Sequence, residues 1–185
     1  MKTVQAARTY AVVPSPCGDL TLVATEGVLS GLYMVRQRHR PAQERFGERV
    51  DPAEAPFGAV SAQLAEYFAG TRRHFDLPMR FHGTEFQSRV WTALCDIPYG
   101  ETISYGQLAD RLGRPTASRA VGLANGKNPI GLIVPCHRVL GSTGSLTGYG
   151  GGLDLKRSLL AFERDGGLFT PRLVAAGQAE AGQVG

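Results

Sequence analysis

The sequence predicts an α/β N-terminal domain, a small antiparallel sheet plus a helix, followed by a mostly α C-terminal domain with a helix-turn-helix. Three observations predict it. The first forty residues alternate β-rich stretches with turn dipeptides. Two capping boxes, Thr84-x-x-Gln87 and Ser104-x-x-Gln107, open helical periodicity further on. Finally, two short helical stretches flank the break Gly113-Arg114-Pro115. The corresponding boundaries are residues 1–82, 83–170 and a loose, Ala- and Gly-rich tail over 171–185.

In chain order, Arg8 to Val13, Leu20 to Thr25 and Val28 to Val35 read as a meander, with Gly18-Asp19 and Glu26-Gly27 at the breaks. Arg36 to Pro56 is polar and proline-bearing, a loop with room for one helical turn. Ser61 to Phe68 places Leu64, Tyr67 and Phe68 at helical spacing, and His74 to Phe81 supplies a further strand. Past His82-Gly83, the Thr84 box opens a helix through Phe86, Val90, Trp91, Leu94 and Ile97, stopped by Pro98. The Ser104 box opens a second, running to about Leu112, and Thr116 to Asn125 forms a third, ended by Gly126. This pair fits a helix-turn-helix with Thr116 to Asn125 as the recognition element, and equally a plain αα-hairpin. Leu153 to Arg164 is a final helix with Leu155, Leu159 and Phe162 on its apolar face.

Composition narrows the classes. With 185 residues and 43% hydrophobic content, the chain can bury a real core. Three cysteines without C-x-x-C spacing favour neither a disulfide framework nor a zinc cage, so a reducing cytoplasm fits and no metal is expected. No segment approaches a membrane span. The formal charge is +4, and Tyr99 to Gly141 holds five bases (Arg111, Arg114, Arg119, Lys127, Arg138) against Glu101 and Asp110, which suits a polyanion or an ordinary solvated face.

The chemistry centres on Pro135-Cys136-His137-Arg138, delivered by the apolar run Ile130 to Val134. A thiol attacks as its thiolate, and His137 with Arg138 offers both a base and a positive field; the bland alternative is a core cysteine. Glu163 falls near the buried side of the last helix, at the end where the dipole disfavours negative charge. It therefore wants a partner, either a surface arginine (Arg157 or Arg164) or His137. The third helix carries Ala117, Ser118, Ala120, Gly122 and Ala124, with Arg119 as its one long projecting side chain. Such a helix suits close, sequence-indifferent contact with a groove, or close packing on a neighbouring helix. Leu146 to Gly152 is a glycine-rich loop with one tyrosine and lacks the Lys-Ser/Thr of a phosphate loop.

Assembled, these pieces resemble the O6-alkylguanine-DNA alkyltransferases. The likeness runs from about Gly83 to Gly166 through Phe86-Gln87-x-x-Val90-Trp91, Ile97-Pro98-Tyr99-Gly100-Glu101-Thr102, Ser104-Tyr105-Gly106, Arg119-Ala120-Val121-Gly122, Asn128-Pro129, Ile133 to Val139 and Thr147-Gly148-Tyr149. It implies a ribonuclease H-like N-terminal domain and a stoichiometric repair reaction. In that reaction the alkyl group on O6 of guanine, and also on O4 of thymine, passes to Cys136 without turnover.

By motif position the resemblance implies His137 as base acting through a water, Glu163 orienting it, and Asn128 bracing the turn. Tyr105 would assist rotation of the nucleotide and donate a proton to the purine. Val134, Val139, Tyr149 and Gly150 would recognise the base; Gly150 departs from those members of the family that carry serine there, so recognition at that position falls to its backbone amide. Thr116, Ser118, Arg119, Ala120, Gly122, Ala124, Asn125 and Tyr105 would meet the minor groove of double-stranded DNA, with Arg119 filling the space of the flipped base. The implied protein needs no cofactor or metal, touches no membrane and acts as a cytoplasmic monomer, nucleoid-associated when on DNA. Three rivals share some of these features: a lesion binder lacking the thiol, a cysteine hydrolase with turnover, and a sequence-reading regulator.

Overall fold

The computed structural model describes residues 6–171; the tail expected from 171 onward lies, apart from Pro171, outside them. Strands β1 (Arg8–Val13), β2 (Leu20–Thr25) and β3 (Val28–Met34) form the expected antiparallel meander. Glu26 and Gly27, both at positive φ, make the tight β2–β3 turn, the geometry whose twist matches the flanking strands. The loop over 36–56 holds a 3-10 turn at Gln43–Arg45 and adds a short strand, β4 (Glu48–Arg49), parallel to β1, giving the order β3-β2-β1-β4. Every residue of β2 is buried, because both faces of the sheet are covered. Leu20, Leu22 and Ala24 enter the main core, whereas Val23 packs with Tyr33 and Phe46 beneath the loop.

Helix α1 (Phe57–Phe68) starts one turn before the expected Ser61, since the apolar spacing Phe57, Val60, Leu64, Tyr67, Phe68 continues back to Pro56. The strand expected over His74 to Phe81 does not form. Only Met79 bridges to β3, opposite Leu29, because Pro78 lacks a donor and the Gln63 side chain takes up the Asp76 N–H and C=O. Phe75, Leu77, Met79 and Phe81 instead pack as partly buried side chains against the core.

Helices α2 (Glu85–Cys95) and α3 (Tyr105–Arg111) both begin in complete capping boxes at Thr84 and Ser104. Helix α4 (Ser118–Gly126) starts two residues later than expected, leaving exposed Thr116 in the preceding turn. Trp91 on α2 donates its indole N–H to the Ala124 carbonyl of α4 at 2.8 Å, fixing the two helices together. Helix α5 (Leu153–Asp165) closes the chain. Strands β5 (Ile103–Ser104) and β6 (Val139–Leu140) pair in parallel, seating the start of α3 beside the segment that carries Cys136. The two halves share one contiguous apolar core, and Leu32 of β3 donates its N–H to Pro129 at 2.8 Å, so the sheet edge directly supports the approach to Cys136. Cys95, expected in the core, is exposed at the end of α2.

Candidate active site

Residues 131–134 form a tight turn in which Leu132 takes φ 68°, a conformation uncommon outside glycine, while its side chain stays 1% exposed. The turn feeds the 3-10 segment Cys136–Arg138, all of it buried. Asn128 braces this path: its amide donates to the Val134 carbonyl at 2.8 Å and its Oδ1 accepts from the Ile130 N–H at 3.0 Å. The Cys136 N–H also donates to Val134, so both lone pairs of that carbonyl are occupied.

Glu163 is the hub. Its Oε1 accepts from His137 Nε2 at 2.7 Å, from the Tyr67 hydroxyl at 2.7 Å and from Arg138 Nη2 at 2.9 Å; Oε2 accepts from Arg138 Nε at 2.8 Å and the Gly100 N–H at 3.3 Å. The third guanidinium nitrogen of Arg138 donates to Ile97 O at 2.6 Å. Burial pushes the Glu163 carboxyl up, and the hydrogen bonds and charge of its partners more than reverse this, holding it well below the usual carboxylate range. An ionised Glu163 can only accept, so Nε2 of His137 carries the hydrogen and Nδ1 presents a lone pair. Burial pulls the His137 pKa down against the opposing pull of Glu163, which keeps the ring neutral and able to take a proton.

Cys136 is raised by burial, with the Asn128 amide and the charge of Lys156 acting the other way. The resting sulfur is therefore a thiol. Arg138, expected to supply the positive field, is committed to Glu163 and Ile97; the cation that favours the thiolate is Lys156. Lys156 is fully buried on α5, donates to Val139 O at 2.6 Å and Thr147 O at 2.9 Å, and is pushed down to about 8 by burial. It ties the Cys136 segment to the glycine-rich loop.

Beside Cys136 lies a cleft of about 10 Å³ whose walls include Asn125, Asn128, Tyr149 and Gly150. Among the described residues, Asn125 Oδ1 and the Tyr149 hydroxyl on its walls have no hydrogen-bond partner, and neither does Nδ1 of His137, the residue after Cys136. Unpaired buried polar atoms are costly unless a ligand meets them, and here they offer two acceptors and a donor beside a thiol. The set suits a nucleophile with a base beside a small polar cleft.

The structure brings Cys136, His137, Glu163, Asn128, Val134, Val139, Tyr149 and Gly150 into one region. Tyr105 stands at its rim, its hydroxyl donating to Thr147 O at 3.3 Å and its ring against Gly122. Of the residues expected to meet a groove, Thr116, Arg119 and Ala120 are exposed, with Ser118 and Gly122 half-buried. Ala124 and Asn125 are buried on the inner face of α4, and Asn125 donates to Cys136 O at 3.3 Å. The helical period turns them inward with Val121. Leu123, 70% exposed, joins Arg119 one turn away as a second large projecting side chain. Tyr67 and Lys156 were missed from sequence. A lysine within the apolar stripe of α5 was a visible signal, whereas nothing marked Tyr67 as more than a core aromatic. Among the described residues no group of three or more His, Cys, Asp and Glu could hold a metal ion.

The model of the 6-O-methylguanine DNA methyltransferase DNA binding domain matches residues 85–165, and that of the family's ribonuclease-like domain matches 9–81. The chain belongs to this family. A methylated-DNA-protein-cysteine methyltransferase of Mycolicibacterium paratuberculosis is 56% identical over 84% of this chain and 92% of its own length. One from Methanosarcina acetivorans is 47% identical over 83% and 97%. Among solved structures, Mycobacterium tuberculosis OGT in complex with DNA superimposes with a TM-score of 0.78 at 49% identity, covering 89% of this chain and 96% of that one. The M. tuberculosis O6-methylguanine methyltransferase gives 0.77 at 50% identity over 85% and 93%. Family membership thus rests on both halves of the chain, including the N-terminal one, whose sequence motifs are the less distinctive.

Proposed function

We propose that this protein repairs alkylated DNA by moving the alkyl group from O6 of guanine onto Cys136, once per molecule. The observation that carries this reading is the buried contact of His137 Nε2 with Glu163 Oε1 at 2.7 Å, which leaves Nδ1 unpaired on the residue next to the buried Cys136. Adjacent side chains do not share one hydrogen bond well, so His137 takes the Cys136 proton through a water. The sulfur lone pair forms the S–C bond as the C–O6 bond breaks, and the electron pair remains on the purine. A proton donated by the Tyr105 hydroxyl neutralises that charge, and the proton held by His137 passes to solvent, from which Tyr105 is replenished. The S-alkylcysteine is a thioether with no good leaving group, so the thiol is not regenerated. The same displacement serves O4 of thymine.

The alkyl carbon is masked inside a duplex, so the base must flip out of the stack, at a cost of a few kcal/mol. Helices α3 and α4 act as a helix-turn-helix against the minor groove. Exposed Arg119 fills the gap left by the base, and the half-buried Gly122 lets Tyr105 lie close to α4. Thr116, Ser118 and Ala120 border the same contact. The N-terminal unit is ribonuclease H-like, and the protein works as a cytoplasmic monomer.

Intact-mass measurement after mixing with duplex DNA containing one O6-methylguanine tests the reading. The chain should gain one methylene on Cys136, saturate at one lesion per chain, and gain nothing as Cys136→Ser. Repeated turnover, or an unmarked chain with repaired DNA, overturns it.

A further inference from the structure

The cleft beside Cys136 has a wall from the N-terminal half of the chain. Met34 ends β3, Gln37 sits in the turn that follows, and both line the cleft with Cys136 and Tyr149. The turn is built to hold Gln37 there. Its Oε1 accepts from the Met34 N–H at 3.1 Å, its own N–H donates to Met34 O at 3.2 Å, and the next N–H, of Arg38, donates to Gly150 O at 2.9 Å. The glycine-rich loop has given way to it. A Cβ at Gly150 would lie 3.2 Å from Gln37 Cγ, and one at Gly151 would lie 2.6 Å from Met34 Sδ. Gly150 is not at positive φ, so its backbone does not demand glycine; a side chain there would instead need Gln37 to give by a few tenths of an ångström. Gln37 thus occupies room that a side chain at position 150 would otherwise take.

We propose that Gln37 is a specificity-determining residue that limits the alkyl groups accepted at Cys136 to small ones. The proposal rests on the alkyl-transfer reading above. A methyl group needs little more room than the purine it rides on, while a benzyl group must displace the Gln37 side chain. Displacement breaks the bond to the Met34 N–H, and the Arg38–Gly150 contact beside it resists the turn moving away as a body. The barrier therefore falls on bulky substituents and leaves methyl transfer to the chemistry of Cys136.

The test compares single-turnover rates on one duplex sequence carrying either O6-methylguanine or O6-benzylguanine, for the wild type, Gln37→Ala and Gln37→Gly. The benzyl-to-methyl rate ratio should rise about tenfold or more in both variants, the scale on which a pocket discriminates by a few carbon atoms. A ratio unchanged within about twofold, whether or not both rates fall together, overturns the proposal. A second arm uses Gly150→Ser, which should slow methyl transfer in the wild-type background and be relieved when combined with Gln37→Gly. Strictly additive effects overturn the proposed contact. A wild type that is never methylated overturns the functional reading itself, whereas a methylated wild type with an unmoved ratio overturns only the role of Gln37.

Discussion

Replacing Glu163 by Gln probes the centre of the site with a change of one atom and one charge. The carboxylate accepts five hydrogen bonds from four residues: Tyr67, Gly100, His137 and Arg138. An amide offers one accepting oxygen and a nitrogen that only donates, so either orientation sets an N–H against donors on one side. Arg138 is left as a buried cation without a counter-charge, a loss of about 3–5 kcal/mol when one partner of a buried pair is removed. For a chain of this length that corresponds to a drop in Tm of roughly 6–20 °C. If the amide nitrogen faces His137, the ring must carry its hydrogen on Nδ1 and the lone pair that takes the Cys136 proton disappears. Amidation of the carboxylate behind a catalytic histidine costs about 10⁴-fold elsewhere, and a loss of about 10³- to 10⁴-fold is expected here. The assay is single-turnover transfer of a labelled methyl group from duplex DNA, run well below the variant's Tm and with circular dichroism establishing that it is folded. A folded Glu163→Gln protein reacting within about tenfold of wild type refutes the relay.

Four further outcomes follow from the same geometry. Stability should be level near neutrality and fall as the pH drops below 6.5, because the unfolded chain binds a proton that neutral, buried His137 resists; it should fall again below 4.5 as the unfolded carboxyl of Glu163 takes up a proton that the folded one refuses. Denaturant titrations across pH check both steps. The Tyr67→Phe substitution removes a donor to a charged acceptor, with an expected loss of about 1.5–3 kcal/mol in urea unfolding. In Lys156→Met the link between Val139 and Thr147 is lost and methyl transfer slows. The folded Lys156 pKa of about 8 lies below its ordinary 10.5, so wild-type stability relative to this variant should rise by about 3 kcal/mol between those pH values. Finally, Arg119→Ala should slow repair in duplex DNA while retaining reaction with free O6-alkylguanine; equal loss on both would place Arg119 in the chemistry or the fold.

Short-range signals were legible in the sequence because their physics is local. The capping boxes at Thr84 and Ser104, the meander with its Glu26-Gly27 turn, and the apolar stripe of α5 each depend on residues within a turn or two of one another. Cys136, His137 and Glu163 could be selected because a thiol beside an imidazole, and a carboxylate on a buried face, are conspicuous without a fold. The strand expectation failed because alternation does not show whether the hydrogen-bonding groups of a ladder are free. His74 to Phe81 alternates like a strand, but Pro78 and the Gln63 side chain take up the groups that a ladder needs. Asn125 lies within the third helix yet faces the thiol, because Val121 and Ala124 bury that side.

The list of reactive groups and the local elements that carry them follow from the order of residues alone, since propensity, capping and chemical identity belong to each short segment. Long-range packing is what makes Tyr67, 96 positions away, donate to Glu163, commits Arg138 to the carboxylate while Lys156 supplies the field at the sulfur, and sets Gln37 in the wall of the cleft. These are matters of which side chains share a buried volume. Desolvation and hydrogen bonding within that volume set the protonation of Cys136, His137 and Glu163, and neither is defined until the chain has closed around them.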